Sequence, residues 1–222
     1  MKHILTAGVI ALGLAAPASA TAASGTETYD LLFREGTLDA IPLDRSLVYS
    51  REVDNSVKPD AAERDTGTIA LDIRKDEARM ADIEFRQGEK YRNLGSFPAS
   101  VGNPMIMYFY ETVVRDMAEA AGGSPFYIRN RVKEALVQPS EVVEGEASVD
   151  GETVETRTIT LHPFRGDPNA DRMMGFGDLA LTVTMSDEVP GWYLSLVAEA
   201  PGDDAPVYRS AITFDALEDE TQ

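Results

Sequence analysis

The sequence predicts an α+β protein: a mostly antiparallel curved sheet or half-barrel of about nine strands, with a helical hairpin inserted into it. Three observations carry this. Segments in which apolar and polar residues alternate occur on both sides of the middle of the chain, the pattern of antiparallel strands with one buried face. Between them, "GNPMIMYFYETVVRDM" changes to helical spacing and ends at a glycine pair. The strands together carry more apolar surface than two helices can cover, so the sheet must curl into a barrel or partial barrel, or split into a sandwich.

The first stretch, "MKHILTAGVIALGLAAPASA", has Lys2, an apolar run from Ile4 to Ala15, and Ala18-Ser19-Ala20 at its end. This is the layout of a signal peptide spanning residues 1–20, cut after Ala20. No Cys stands at the cut to take a lipid anchor, and no later apolar run approaches the roughly 20 residues of a bilayer-spanning helix. The expected location is the periplasm, and the expected organisation is one exported domain over 21–217 with an acidic tail over 218–222. With no Cys among 222 residues, the fold must rest on its core without disulfides.

"TETYDLLFREG" predicts a short amphipathic helix capped by Thr26 or Thr28 and stopped by Gly36. Strands follow around Leu47, Tyr49 and Val53, around Ile69, Leu71 and Ile73, and around Ala81, Ile83 and Phe85. "KYRNLGSFP" is a fourth, ended by Pro98. "DNSVKPDAAERDTG", between the first two, reads as a polar, mobile connection. Asn103 and Pro104 then open a helix whose buried stripe is Ile106, Phe109, Val113, Met117 and Ala120. Gly122-Gly123 stops it, and Ser124-Pro125 starts a second with Ile128, Val132, Ala135 and Leu136 inward.

"SEVVEGEASV" and "ETVETRTITLHPF" form a hairpin turning at Asp150-Gly151. Leu179 to Met185, Trp192 to Ala198 and Tyr208 to Phe214 supply the remaining strands. Trp192 shares its phase with Leu194 and Leu196 and is expected in the core. "DALEDETQ" reads as a frayed end.

This order, with "TYDLLFREG" ahead of the strands and "GGSPFYIRNRV" ahead of the "SVDGET" hairpin, resembles the LolA/LolB-like periplasmic half-barrel carriers. The resemblance covers most of the chain as element order. It implies a concave apolar cavity for acyl chains or another lipid-like ligand, carried without chemistry. The chain departs from it in a short, polar-to-basic second helix and in its acidity.

The formal net charge of −18 becomes −19 once Lys2 leaves with the leader. That balance repels DNA, RNA and anionic lipid surfaces. The reading that follows is a non-enzymatic periplasmic binding or carrier protein for a hydrophobic or lipid-like ligand. The alternative is an envelope protein-interaction module that holds a basic protein partner. Ligand contacts are expected from Met105, Met107, Phe109, Tyr110, Val113 and Phe126, residues that would equally well fill a core. No cofactor or metal is expected.

Motifs for chemistry are sparse. His162 is the one His after the leader, so His-pair metal sites are excluded, and no G-x-S-x-G elbow supports a serine hydrolase. Asp167, Asn169, Asp171 and Asp178 have the spacing of a calcium loop, but Arg172 replaces the glycine at the sixth position and Asp178 the glutamate at the twelfth. A solvated Asx turn accounts for the same letters. Arg129, Arg131 and Lys133 form a basic group that suits either an anionic head group or a solvated face with carboxylate pairs.

Overall fold

The structure is a computed structural model that describes residues 19–75 and 78–219. The expected leader, apart from Ser19 and Ala20, lies outside the described residues, as do the last three residues of the expected tail.

The first described element is a strand the sequence did not suggest, β1 (Ala20–Ala23). Helix α1 (Gly25–Leu32) starts ahead of both threonines predicted to cap it, its cap two residues before Thr26 and four before Thr28. The cap is Ser24: its hydroxyl accepts the Glu27 N–H at 3.3 Å, and the Glu27 carboxylate accepts the Ser24 N–H at 2.8 Å. This reciprocal box satisfies two helix-end donors, whereas Thr28 lies buried inside the helix.

The next four strands are a meander: β2 (Arg45–Asn55), β3 (Gly67–Lys75), β4 (Arg79–Gln87) and β5 (Lys90–Pro98). The connection between β2 and β3 is a helix, α2 (Pro59–Asp65), where a mobile loop was expected. Asn55 prepares it by accepting the Val57 and Lys58 N–H groups at 3.1 and 2.9 Å, Pro59 occupies its first turn, and Ala62 and Asp65 are buried.

Helices α3 (Met105–Ala121) and α4 (Pro125–Leu136) form the predicted hairpin, with Gly122 at φ 75° and Gly123 at φ 92° between them. Then come β6 (Ser140–Val149) and β7 (Glu152–Leu161). Asp150 and Gly151 both have positive φ, as a two-residue turn of the primed type requires. The last strands are β8 (Ala180–Met185), β9 (Tyr193–Ala200) and β10 (Tyr208–Asp219). The start of the expected tail is ordered: Glu218 and Asp219 pair with Ser46 and Arg45 of β2.

All ten strands join one antiparallel sheet in the order β1-β6-β7-β8-β9-β10-β2-β3-β4-β5. It is open, with β1 and β5 at its edges, and its inner face packs on the helices. The result is the half-barrel-like α+β fold the sequence predicts. Register sets the inner face: Phe214, Tyr49, Ile69 and Phe85 stand side by side across β10, β2, β3 and β4. The outer face carries hydroxyl pairs such as Thr158 with Thr184 and Thr160 with Thr182. Among the described residues no helix is long and apolar enough to cross a membrane.

Candidate functional site

Helix α3 lies over the inner face where β9, β10 and β2 run, and its entry is fixed by Gly102 and Asn103. Gly102 has φ 96°, and a Cβ there would fall 2.3 Å from the Arg34 carbonyl, so only glycine fits. Asn103 is buried and fully engaged. Its Nδ2 donates to the Tyr49 hydroxyl at 2.9 Å and the Gly191 carbonyl at 2.8 Å, and its Oδ1 accepts the Met105 N–H at 3.0 Å. Burial raises the Tyr49 pKa, so its hydroxyl stays neutral.

The six residues expected to contact a ligand divide into two groups. Met105, Phe109 and Val113 are fully buried under α3, and Tyr110 nearly so. The Phe109 and Tyr110 ring centroids lie 5.2 Å apart, and Tyr110 reaches Phe33 at 6.3 Å. The Tyr110 hydroxyl is buried without a hydrogen-bond partner among the described residues, and burial pushes its pKa up. Met107 and Phe126 face outward, 48% and 75% exposed. The Phe126 ring lies beneath the Arg129 guanidinium, 6.0 Å from its centroid.

Under the last turns of α3 is a charged network that the alternation pattern hid. Arg51 of β2 is 0% exposed and pairs with Asp116 of α3 at 3.2 Å. The Tyr208 hydroxyl donates to the same carboxylate oxygen at 2.9 Å. Arg115 binds the other Asp116 oxygen through Nε at 3.1 Å and Nη2 at 2.8 Å, and also reaches Asp65 of α2 at 3.0 Å. Arg64 continues the chain from Asp65 to Glu119. Burial opposes ionisation of Asp65, but Arg64 and Arg115 outweigh it and hold its carboxyl below the usual range. With both oxygens held by cations and a phenol, Asp116 anchors α3 to the sheet.

The remaining sequence candidates lie elsewhere on the fold. Asp167 faces inward, accepting the Tyr127 hydroxyl at 2.6 Å and the Asn169 N–H at 2.8 Å, and its carboxylate lies 2.9 Å from Arg131 Nε. The Tyr127 bond, more than the cation, keeps its pKa low. This is the Asx turn reading, and among the described residues no three acidic or histidine side chains gather to hold a metal. Arg129 grips Glu111 with two bonds of 2.8 and 2.7 Å, and Arg131 pairs with Glu134, so both arginines of the basic group are committed to neighbouring carboxylates. His162 borders a surface cleft of about 570 Å³ with Arg131 and Arg165. Burial and the Arg165 charge lower its pKa.

A second cluster stands at the α1 end of the molecule. Trp192 is buried as expected, but its backbone lies at φ 81°, so it precedes β9 and Tyr193 takes the inward position. Leu194 is consequently only half-buried. The indole N–H donates to the Leu31 carbonyl at 3.0 Å, and the Arg34 and Arg157 guanidiniums lie 4.4 and 5.0 Å from the ring centroid. Asp187 joins both arginines.

No protein-family model and no curated protein matches the chain by sequence. Among solved structures, the chain is similar to the lipoprotein LppX of Mycobacterium tuberculosis, at 12% identity and a TM-score of 0.36, over 84% of this chain and 91% of that one.

Proposed function

We propose that this protein is an exported, non-enzymatic binding or carrier protein for a hydrophobic or lipid-like ligand, with the α3–α4 hairpin as the movable cover of the concave face. The observation that supports this is the seat of α3. Its inner side meets a sheet face that is itself apolar, so lifting the hairpin would uncover a trough containing Leu47, Tyr49, Leu196, Ile212 and Phe214. An acyl chain could replace Met105, Phe109 and Val113 there at little cost in buried apolar area.

The tie between cover and sheet suits such a role. Apolar residues of similar volume would hold α3 at least as firmly as the Arg51–Asp116 pair, because desolvating two charges offsets most of their attraction. A charged tie fixes one closed position and is released into water when the cover lifts.

The test is titration of the protein with a fluorescent fatty-acid analogue. The reading predicts saturable uptake at one site, and a higher affinity in Asp116→Asn, where the cover is less firmly held. Absence of uptake in both proteins would overturn it and favour the protein-interaction alternative.

A further inference from the structure

We propose that the cleft between α1 and the β1–β6–β7 end of the sheet seats the head group of a zwitterionic amphiphile, its phosphate on Arg34 and Arg157 and its amine facing the carboxylates of α1. This rests on the binding-protein reading above and names the head of the ligand. The cleft has a volume of about 640 Å³. Ala23, Leu31 and Val142 give it an apolar lining where it meets the core.

The two arginines are built into place. Both lie on the Trp192 ring, which is itself fixed by its bond to Leu31 and by its buried position. A non-glycine residue at φ 81° is held there against its own preference, and such strain concentrates at binding and catalytic sites. Indole stacking leaves the guanidinium edges free to make paired hydrogen bonds to an oxyanion. At present Asp187 occupies those edges, bridging the pair as a phosphate would. Its side chain is 54% exposed, so it can turn out to water when an external anion arrives. Asp187 is thus the internal competitor for the site.

Charge selects the head group. Arg34, Arg157 and Asp187 sum to one positive charge, while Glu27 and Asp30, which also line the cleft, contribute two negative ones that the Thr21 ammonium left by a cut after Ala20 offsets only in part. A purely anionic head would meet those carboxylates, and a neutral head would leave the arginines unused. A phosphate joined to an amine answers both, and its tail can lie along the apolar lining.

Trp192 is the one tryptophan of the chain, so its emission reports this cluster alone. The full exported chain is titrated with lysophosphatidylethanolamine, lysophosphatidylglycerol and a monoacylglycerol of the same acyl chain, below their micelle concentrations, by Trp192 emission and calorimetry. The zwitterionic lipid should bind about tenfold or more tightly than the other two, as the loss of one charge-assisted contact implies. Arg157→Gln should remove that preference, and Asp187→Asn should tighten binding. Asp30→Asn, an exposed change away from the tryptophan, should narrow the gap between the zwitterionic and anionic lipids without altering the fold. Equal affinities for all three heads, unchanged by Arg157→Gln and Asp30→Asn, would overturn the head-group seat and leave the carrier reading standing. No binding of any amphiphile by either method would overturn both.

Discussion

The seat of α3 and the α1 end of the sheet are built from the same residue types and behave differently. Under α3, Arg51, Asp116 and Tyr208 are sealed among fully buried apolar side chains, and each charge already has its partner. At the α1 end, Arg34, Arg157 and Asp187 are each a third or more exposed and border an open cleft. A buried pair is costly to break and therefore fixes position. An exposed pair is cheap to exchange and therefore suits a ligand. On the proposed reading, the two regions take separate tasks, closure at one and recognition at the other.

The comparison is broken most directly by Asp116→Ala, which leaves Arg51 buried and uncompensated. It should cost about 3–5 kcal/mol of stability by denaturant unfolding. Adding Arg51→Met should recover much of that. A loss below about 1 kcal/mol would show that the network under α3 is not sealed. Next in size is Met105→Ala, a truncation inside the closed core, expected to cost about 3 kcal/mol. Retention of full stability would place Met105 outside the well-packed region.

Acid should weaken the α3 side. Asp65 has a folded pKa below its ordinary 3.8, so its ionised form is preferred in the folded state. Its contribution is complete above that value and is lost as the pH falls through the lower, folded pKa. Asp65→Asn should flatten the decline in melting temperature below about pH 4; an unchanged slope would mean that other carboxylates govern acid unfolding. At the other end, Ser24→Ala removes the α1 cap and should cost about 1 kcal/mol. The smallest effect is expected for Met107→Ala, within about 0.5 kcal/mol. A larger loss there would mean that this outward face of α3 is covered in solution.

The period-two segments gave the sheet away because each strand has one apolar face, and the glycine pair at 122 and 123 marked the hairpin because nothing else in the helical stretch could stop it. The tenth strand, β1, was not legible: four small residues following an apolar run carry no alternation. Helix α2 was missed because its stability comes from the Asn55 turn and from Asp65 pairing with residues distant in sequence.

The network under α3 was partly legible. Arg51 stands in the inward phase of Leu47, Tyr49 and Val53, and Asp116 falls seven residues after Phe109 on the buried stripe, so an inward cation and an inward carboxylate were both on the page. Nothing in one sequence says that they meet. The Trp192 cluster gave no signal, because it joins Arg34, Arg157 and the Asp187–Trp192 connection from three separate segments and depends on a left-handed backbone at a tryptophan.

The most direct measurement is native mass spectrometry of the protein isolated gently from its native source, before and after extraction with organic solvent. A carrier predicts extra mass that departs with the organic phase and returns when the extract is added back. A single bare mass before and after extraction, unchanged by added lipid, would contradict it, and α3 would then be covering nothing but the protein's own sheet.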